Sequence, residues 1–279
     1  MKKRRPKRLL ITGAASGIGA ATARLAAQQG CRVILADINL AGARDVAESI
    51  GLGATATRLD ITSDEAWDRA LDEAWTRLDG LDVLVNNAAI VQTGRAGNVS
   101  IADHQRTMDV NFMGPLKGML RALPRFKAQG SGHFVTVCSM TAFLPFPGLA
   151  SYAAAKHALR AFHHALALEE RRGPLDFTIV HPTSTETPML EEEARSDEAP
   201  LAFASRPVTA AFVAEIILRA MERKATEIFM PPEARRVRLL GTSPRSMNKM
   251  IDRGESVGLL RLQARRAETA TAHVASRPA

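Results

Sequence analysis

Tyr152 and Lys156 are the two side chains whose types and spacing best suit proton chemistry. They lie four residues apart, so on a helix both project from the same face, one turn apart. Tyr152 is the only tyrosine in the sequence. Free tyrosine has a pKa of about 10, and a nearby ammonium group lowers it by favouring the phenolate. The pair predicts a tyrosine that acts as acid and base. The alternative is a surface helix bearing an aromatic ring and a cation.

A glycine-rich turn follows the first apolar segment. Residues 9–12 are predicted to form a buried strand, and an alanine-rich helix is predicted to run to about residue 29. Glycines in such a turn let the backbone approach a pyrophosphate, and the positive end of the helix dipole attracts it. The spacing is G-x-x-x-G-x-G. The predicted cofactor contacts in this turn are Gly13, Ser16, Gly17, Ile18 and Gly19.

Asp37 stands at the end of the second predicted strand, residues 32–36. A carboxylate about twenty residues after the glycine turn can accept hydrogen bonds from both adenosine ribose hydroxyls, and it repels a 2′-phosphate. This predicts NAD rather than NADP as the cofactor. Alternatively, Asp37 caps a helix or a turn. Arg32 and Arg58 are possible counter-cations for a phosphate.

Helix-like and strand-like segments alternate over the rest of the chain. Further strands are predicted at 54–59, 81–85, 133–138, 176–180 and 226–230, with helices between them. The long helical region from about residue 100 is expected to be interrupted at Pro115 and Pro124. Apolar strands separated by helices predict an α/β fold: a doubly wound parallel sheet of about seven strands with helices on both faces, the Rossmann fold. Ligands bind such sheets at the carboxyl ends of the strands, where the chain has Gly13, Asp37, Asp60, Asn87, Ser139 and Pro182.

With these elements in place, the sequence resembles the short-chain dehydrogenase/reductase family over roughly residues 7–231. The motifs that carry the resemblance are Thr12-Gly13-x-x-x-Gly17-Ile18-Gly19, Asp60, Asn86-Asn87-Ala88, Asn111, Ser139, Tyr152-x-x-x-Lys156, Pro182 and Thr187-Pro188-Met189. Ser139 precedes Tyr152 by thirteen residues, the usual interval in that family. Ala89 and Thr183 stand where the family usually has glycine. Both are small, and neither removes a chemical group.

The resemblance implies a mechanism. Tyr152 exchanges a proton with the substrate oxygen, and Ser139 donates a hydrogen bond to it. Lys156 lowers the pKa of Tyr152 and binds the nicotinamide ribose, while Asn111 holds a water that extends a proton relay. Hydride passes between the substrate carbon and nicotinamide C4. The cofactor contacts also include Asp60, Ile61, Asn87, Ala88, Pro182 and Thr187. The alternative for Ser139 is a plain strand-end hydroxyl, and for Asn111 a helix-kink amide bonded to backbone.

The loop after Ser139 is apolar and uncharged. On this fold it would wall the substrate site, with Phe143, Leu144 and Leu149 as predicted substrate contacts. Part of the loop could instead pack internally. Residues 184–206 are predicted to form a mobile lid in which Met189 also contacts substrate. The substrate body is therefore expected to be apolar.

Residues 233–279 follow the predicted catalytic domain, which spans residues 1–232. Residues 233–266 are amphipathic, and we interpret them as a helical appendage covering the substrate mouth or a neighbouring subunit. The alternative is a helix on a membrane surface. Residues 267–279 are expected to form a disordered tail.

Charge and composition limit the partners. The net charge of +8 is concentrated at the two ends of the chain, but no aromatic residues interleave the basic stretches, so nucleic acid is not an expected partner. No histidine or cysteine spacing predicts a metal site. Two cysteines do not make a disulfide framework, and no apolar run reaches the roughly 20 residues of a membrane span. We therefore expect a cytoplasmic protein, and the resemblance implies a homodimer or homotetramer.

The sequence thus favours an NAD-dependent oxidoreductase acting on a secondary alcohol or its ketone. The expected substrate has a hydrophobic skeleton, such as a steroid, a terpenoid or an aryl alcohol. One alternative is the same chemistry on a small polar or 3-oxoacyl substrate. A second is a dinucleotide-sensing binding module without catalysis, although such a module would be expected to have lost Tyr152 or Lys156. A third is an adaptor that uses the basic ends.

Overall fold

A seven-stranded parallel sheet forms the centre of the computed structural model, which describes residues 7–236 and 244–275. Its strands are β1 (Arg8–Thr12), β2 (Arg32–Asp37), β3 (Thr55–Arg58), β4 (Val83–Asn86), β5 (Gly132–Val137), β6 (Leu175–His181) and β9 (Glu227–Phe229). A separate parallel pair consists of β7 (Thr185–Glu186) and β8 (Val208–Thr209). The sheet order is β3-β2-β1-β4-β5-β6-β9. This is the predicted doubly wound arrangement, and its topological switch point lies between β1 and β4.

Helices cover both faces of the sheet. They are α1 (Gly17–Gln28), α2 (Leu40–Ile50), α3 (Asp64–Leu78), α4 (Ile101–Met108), α5 (Gly114–Gln129), α6 (Ala150–Glu169), α7 (Pro188–Glu193), α8 (Ala210–Arg223) and α9 (Pro244–Ala275). Successive residues of β1 point to opposite faces: Leu9 and Ile11 join one core with α1, α2 and α8, while Leu10 joins a second core with α3, α5 and α6. All three are fully buried. A strand buried on both faces must be apolar throughout, as predicted.

The long helical region is continuous, so the predicted interruptions at Pro115 and Pro124 do not occur. A π-helical turn, Asp109–Met113, joins α4 to α5. Pro115 falls in the first turn of α5, beside the π-helical turn where the regular hydrogen-bond ladder is already altered. Pro124 lies inside α5. Trp67 of α3 ties this region down, because its Nε1 donates to the carbonyl oxygens of Ile61 (3.0 Å) and Gly114 (3.2 Å).

The predicted lid, residues 184–206, contains β7, α7 and a 3-10 turn at Pro200–Phe203. Helix α9 packs on this 3-10 turn. The side chain of Leu262 is fully buried there against Leu190, Ala202 and Phe203. The predicted helical C-terminal region is therefore present, and it contacts the lid.

Helix α9 is longer than the sequence suggested. It continues through Ala275, so the tail expected from residue 267 is helical over residues 267–275. The middle of this helix packs on residues 184–206 through Leu262, and the helix continues beyond this contact to Ala275. The basic segment 1–6 and residues 237–243 of the amphipathic stretch lie outside the described residues.

Candidate active site

A cavity of about 1550 Å³ opens at the carboxyl ends of the central strands. Most of the predicted site residues line it: Gly13, Ser16, Gly17, Ile18, Asp37, Asp60, Ile61, Asn87, Ala88, Ser139, Leu149, Tyr152, Lys156, Pro182, Thr187 and Met189. The other four predicted residues are not among its lining: Gly19, Asn111, Phe143 and Leu144. The parallel sheet thus gathers the glycine turn and the Tyr152–Lys156 pair, far apart in sequence, around one space.

The glycine turn is held open by its packing against the end of β4. Gly13 has φ +65°, and a Cβ added there would lie 2.7 Å from the Cα of Ala88. The Asn87 side-chain amide donates to the carbonyl oxygens of Thr12 (2.9 Å) and Gly13 (3.1 Å), which fixes the turn. Gly19 lies behind the turn, where a Cβ would lie 2.7 Å from Asn87 Nδ2. Close approach of neighbouring atoms therefore requires glycine at both 13 and 19, and the positive φ at Gly13 requires it there as well.

The two strand-end aspartates shape their own loops. Asp37 accepts hydrogen bonds from the backbone N–H groups of Ala15 (Oδ2, 2.9 Å) and Asn39 (Oδ1, 2.9 Å). Asp60 accepts from the backbone N–H of Thr62 (2.9 Å) and from its hydroxyl (2.7 Å). Asp37 thus links the glycine turn to the β2 terminus, as the turn-forming alternative describes, while its carboxylate also lines the cavity.

Tyr152 and Lys156 lie on the first turns of α6 and are both buried, at 8% and 2% exposure. The Lys156 Nζ is 5.5 Å from the centre of the Tyr152 ring and donates to the carbonyl oxygen of Val137 at 3.2 Å. The Ser139 hydroxyl is close enough to Tyr152 to lower the pKa of the phenol, and its oxygen accepts from the backbone N–H of Thr141 at 3.1 Å. Serine, tyrosine and lysine therefore converge, as expected for a shared reaction centre.

The electrostatics of this group differ from the expectation that the ammonium lowers the pKa of Tyr152. Burial raises that pKa above its ordinary value of 10, and the charge of Glu193 adds to the rise, while the hydrogen bond with Ser139 opposes it. Burial also lowers the pKa of Lys156. The reason is that Lys156 points its ammonium toward a backbone carbonyl, while both groups sit in a poorly solvated site. The neutral phenol is accordingly the favoured form of Tyr152 in this arrangement.

Asn111 lies in the π-helical turn behind the cavity wall and is fully buried. Its side-chain amide bonds the backbone of Ile90 twice: Nδ2 donates to the carbonyl and Oδ1 accepts from the N–H, each at 2.8 Å. The backbone-bonded alternative therefore describes its side chain. The next-turn residue, Pro115, has no N–H to donate to the Asn111 carbonyl. The role of Asn111 in a water relay stays a prediction.

The loop after Ser139 divides between the cavity and the interior. Leu149 packs with Tyr152 and Ala199, and Phe146 and Met189 pack against them. Phe143 turns away from the cavity: its ring lies 4.7 Å from that of His181, 5.2 Å from that of Phe229 and 4.3 Å below the Arg160 guanidinium. Leu144 is also buried. The prediction that Phe143 and Leu144 contact substrate gains no support, because the Phe143 ring packs on side chains of β6, β9 and α6 and neither residue lines the cavity.

Sequence reasoning missed two features near the site. The first is Glu193, a buried carboxyl in the cavity wall. The signal for it was the i, i+3 spacing of Leu190 and Glu193, which puts both on the buried face of α7.

The second missed feature is a charged network beneath Ser139. Glu227 Oε1 lies 3.0 Å from His181 Nε2, 3.1 Å from His164 Nε2 and 3.1 Å from Arg160 Nε. The other His181 nitrogen, Nδ1, is 3.2 Å from the Ser139 carbonyl oxygen. Burial raises the pKa of the Glu227 carboxyl, but the hydrogen bonds from His164 and His181 outweigh it and hold that pKa far below its usual range. The network ties β9 and α6 to the backbone of Ser139. The distant sequence positions of its members gave no local pattern to find.

The sheet order, the glycine turn at the switch point and the buried tyrosine–lysine pair define a Rossmann-fold oxidoreductase of the NAD-binding kind. Residues 7–198 match the family described as short chain dehydrogenase. The chain belongs to this family, which confirms the resemblance drawn from its motifs.

Relatives and a solved structure agree with this assignment. A trans-4-hydroxycyclohexanecarboxylate dehydrogenase of Sinomonas cyclohexanicum is 36% identical over 191 residues, covering 64% of this chain and 73% of that protein. A 3-alpha-(or 20-beta)-hydroxysteroid dehydrogenase of Mycobacterium tuberculosis (strain CDC 1551 / Oshkosh) is 31% identical over 182 residues, 65% of this chain and 70% of that protein. The crystal structure of a short chain dehydrogenase/reductase from Burkholderia phymatum in complex with NAD has a TM-score of 0.77 at 25% identity, covering 86% of this chain and 94% of that chain.

Two kinds of feature are absent from the described residues. Over residues 7–236 and 244–275, no helix combines the length and apolar character needed to cross a bilayer. Within the same ranges, no group of three histidine, cysteine or acidic side chains is arranged to hold a metal ion.

Proposed function

We propose that this protein is an NAD-dependent oxidoreductase that transfers a hydride between nicotinamide and a secondary alcohol or its ketone. One observation carries the proposal. Tyr152, Ser139 and Lys156 are gathered in the same cavity as the glycine turn, with the tyrosine and lysine buried from water. Acid/base chemistry next to a dinucleotide site is what carbonyl reduction and alcohol oxidation require.

The residues present fit a dinucleotide. The turn at Gly13 and Gly17 has positive φ and a bare backbone, and it leads into the N-terminus of α1. Ser16, the N-cap residue of α1, makes no side-chain capping bond within the described structure, so the first amides of the helix remain available to a pyrophosphate. Asn87, Ala88 and Thr187 would complete the binding surface. When bound, NAD supplies the carbon that accepts or returns the hydride.

Asp37 supports a preference for NAD over NADP. Its carboxylate lines the cavity beyond the glycine turn and already accepts two backbone hydrogen bonds, so it is held in one orientation. A fixed negative charge there can accept from ribose hydroxyls and disfavours a 2′-phosphate.

The proposed roles of the chain's own residues follow from their protonation. The raised pKa of Tyr152 keeps the phenol protonated at neutral pH, so it is suited to give a proton to a ketone oxygen. Ser139 would hold the substrate oxygen in place, and Lys156 would supply positive charge behind the tyrosine. The relay role of Asn111 would fall to its backbone carbonyl, because its side chain is engaged with Ile90.

The substrate body is proposed to be apolar. Val91, Phe146, Leu149 and Met189 surround Tyr152, which favours a hydrophobic skeleton such as a steroid, a terpenoid or an aryl alcohol. The hydroxysteroid dehydrogenase among the relatives is consistent with this class. The alternative, a small substrate with a polar group, is favoured by the hydroxycyclohexanecarboxylate dehydrogenase. Better turnover of polyols than of bulky apolar alcohols would decide for the alternative.

The test is a panel of secondary alcohols and ketones assayed by nicotinamide absorbance with NAD and with NADP, on wild-type protein and Tyr152→Phe. We expect the variant to lose activity by about 10²- to 10⁴-fold, the usual contribution of a positioned acid or base. Binding of NADH, measured by its fluorescence, should change little because the ring stays in place. Near-normal turnover by Tyr152→Phe would refute the acid/base role. Dinucleotide binding without turnover of any panel member would favour the binding-module alternative.

We also propose that the protein is a homodimer or homotetramer. Ile101 and Leu120, on the long helical region, are 83% and 46% exposed. These exposed apolar side chains, together with the family resemblance, support an interface that includes this region. Light scattering that gives a monomer mass at assay concentration would contradict this proposal.

A further inference from the structure

Glu193 is a buried carboxyl that faces the cavity without a partner. Its residue exposure is 8%, and it is part of the cavity lining. Over residues 7–236 and 244–275, the side-chain oxygens of Glu193 have no hydrogen bond or ion pair. Its charge is close enough to Tyr152 to raise the pKa of the phenol. The carboxyl therefore lies within electrostatic reach of the reaction centre.

The neighbouring acidic residues of α7 do have cationic partners. Glu191 pairs with Arg265, which also pairs with Glu186 at 2.7 Å, and Glu192 pairs with Arg195 at 2.9 Å. Arginines are thus present around this helix, but they pair with its exposed carboxylates. Of the three consecutive glutamates only Glu193 is buried, on the same face as Leu190. Glu192 also borders the cavity, but its carboxylate is exposed and already paired with Arg195.

The inward orientation of Glu193 is fixed by the surrounding structure. The Thr187 side chain caps α7, and Leu190 packs beneath Leu262 of α9, so the short helix cannot rotate freely. Burial raises the pKa of the Glu193 carboxyl to about 7, which records how poorly this position solvates a negative charge. A buried polar group without a partner is destabilising, and such groups concentrate where a ligand supplies the missing bond.

We propose that Glu193 binds a hydrogen-bond donor, a hydroxyl or a protonated amine, that the substrate carries at a second position away from its reacting carbon. This inference rests on the proposed function and narrows its substrate class. The substrate has an apolar body that packs on Phe146, Leu149 and Met189, an alcohol or ketone at Tyr152, and a donor that meets Glu193. A substrate with a carboxylate at that second position is disfavoured, because two negative charges would meet in a buried site.

The test uses one ring scaffold with four different groups at the second position. The probes are cyclohexane-1,4-diol, 4-aminocyclohexanol, 4-methoxycyclohexanol and 4-hydroxycyclohexanecarboxylate, with the same set on a larger decalin scaffold. Activity is measured with NAD for wild type, Glu193→Gln and Glu193→Leu. Glu215→Gln is the control, because Glu215 is an exposed carboxyl on α8 that is paired with Arg219 and lies outside the cavity.

On at least one scaffold, wild type should turn over the diol or the amine at least about 10-fold better in kcat/KM than the methyl ether, with the carboxylate slowest. A hydroxyl ligand predicts that the diol is best and that Glu193→Gln keeps part of the preference. An ammonium ligand predicts that the amine is best and that Glu193→Gln loses the preference. In Glu193→Leu the kcat/KM for the donor-bearing probe, divided by that for the methyl ether, should fall to about one. In Glu215→Gln this ratio should match that of wild type.

Two outcomes overturn the inference. One is a wild-type kcat/KM that is nearly equal for the donor-bearing probe and the methyl ether on both scaffolds. The other is a preference for the donor-bearing probe that is unchanged in Glu193→Leu. Thermal unfolding checks that the leucine variant folds. Its melting temperature should equal or exceed that of wild type, because an unsatisfied buried carboxyl has been replaced by an apolar group. A marked loss of stability would instead show that Glu193 has a structural partner, which counts against the inference.

Failure of the proposed function would look different. If wild type oxidises no probe with either nicotinamide, the oxidoreductase proposal fails, and the inference is decided by binding alone. Isothermal titration calorimetry of the diol, the amine and the methyl ether would then support it if donor-selective binding is present in wild type and absent in Glu193→Leu. Equal binding of the probes, or no binding, would reject it.

Discussion

Gly258→Ala should release α9 from the lid, although alanine normally stabilises a helix. A Cβ at position 258 would overlap the Pro200 carbonyl group of the 3-10 turn, lying 2.6 Å from its carbon. Carbon atoms in contact are separated by about 3.5 Å or more, so the helix and the turn must part by roughly 1 Å. The helix backbone fixes the position of the added Cβ, and the atoms it meets are a backbone carbonyl group, so no side-chain rotation can relieve the clash.

The magnitude follows from the contacts that surround Gly258. Leu262 is fully buried against the lid, and such a side chain contributes about 1.5–3 kcal/mol. The partly exposed pairs of Arg265 add about 1 kcal/mol or less. Alanine returns about 1 kcal/mol of helix propensity. Gly258→Ala should therefore weaken the docking of α9 on the lid by about 2 kcal/mol, which corresponds to a shift of roughly 30-fold in the docking equilibrium.

Gly254→Ala is the matched control. Its added Cβ would also lie 2.6 Å from a carbon atom, but that atom is the Cδ2 of Leu201, the far end of a flexible side chain. A small rotation of Leu201 can relieve that contact. The two variants therefore differ in whether backbone or side chain must give way, while the gain in helix propensity is the same.

The assay is limited digestion with trypsin, because α9 carries Arg253, Arg261 and Arg266 and a docked helix resists cleavage. Cleavage within α9 should be about 30-fold faster in Gly258→Ala than in wild type, and near the wild-type rate in Gly254→Ala. The KM for substrate should rise in Gly258→Ala, because Leu201 and Ala202 of the same 3-10 turn line the cavity. Wild-type cleavage of Gly258→Ala, or equal sensitivity of both variants, would refute the reasoning.

Three other substitutions test separate parts of the site. Asp37→Ala should weaken NAD binding and shift the preference toward NADP in kcat/KM; an unchanged ratio would contradict the ribose argument. Gly13→Ala should abolish dinucleotide binding, measured by NADH fluorescence, because its Cβ would meet the Ala88 backbone at 2.7 Å; retained binding would show that the turn can move aside. Glu227→Gln should lower the free energy of unfolding by about 2 kcal/mol at pH 7, since it removes a charged partner of His181. The folded pKa of Glu227 lies below its unfolded value of 4.5, so this difference should be complete above pH 4.5 and shrink as the pH falls below it; a difference that is constant with pH would argue against a charge effect.

Sequence reasoning reached most of the candidate site because parallel topology obeys a simple rule. Residues such as Asp60 and Asn87 could be assigned to the cavity edge from the ends of predicted strands alone. The cofactor turn was recognisable for a similar reason, since its glycines are close in sequence. For residues in the loop after Ser139, the sequence did not indicate which side chains face the cavity and which face the interior. Phe143 and Phe146 look alike in sequence, yet the first packs against Phe229 in the interior and the second packs beside Tyr152.

The sequence by itself determined the fold class, the family and the Tyr152–Lys156 pair, because these depend on local spacing and on the alternation of apolar strands with helices. Only the tertiary structure decided which of the three consecutive glutamates of α7 is buried in the cavity wall and what environment the tyrosine experiences. Glu193 is one of three consecutive glutamates, and the packing of Leu190 under α9 turns it inward. The pKa of Tyr152 depends on burial and on Glu193, neither of which is local in sequence. Electrostatics and orientation depend on three-dimensional surroundings, so the short motif could identify the Tyr152–Lys156 pair without describing the site around it.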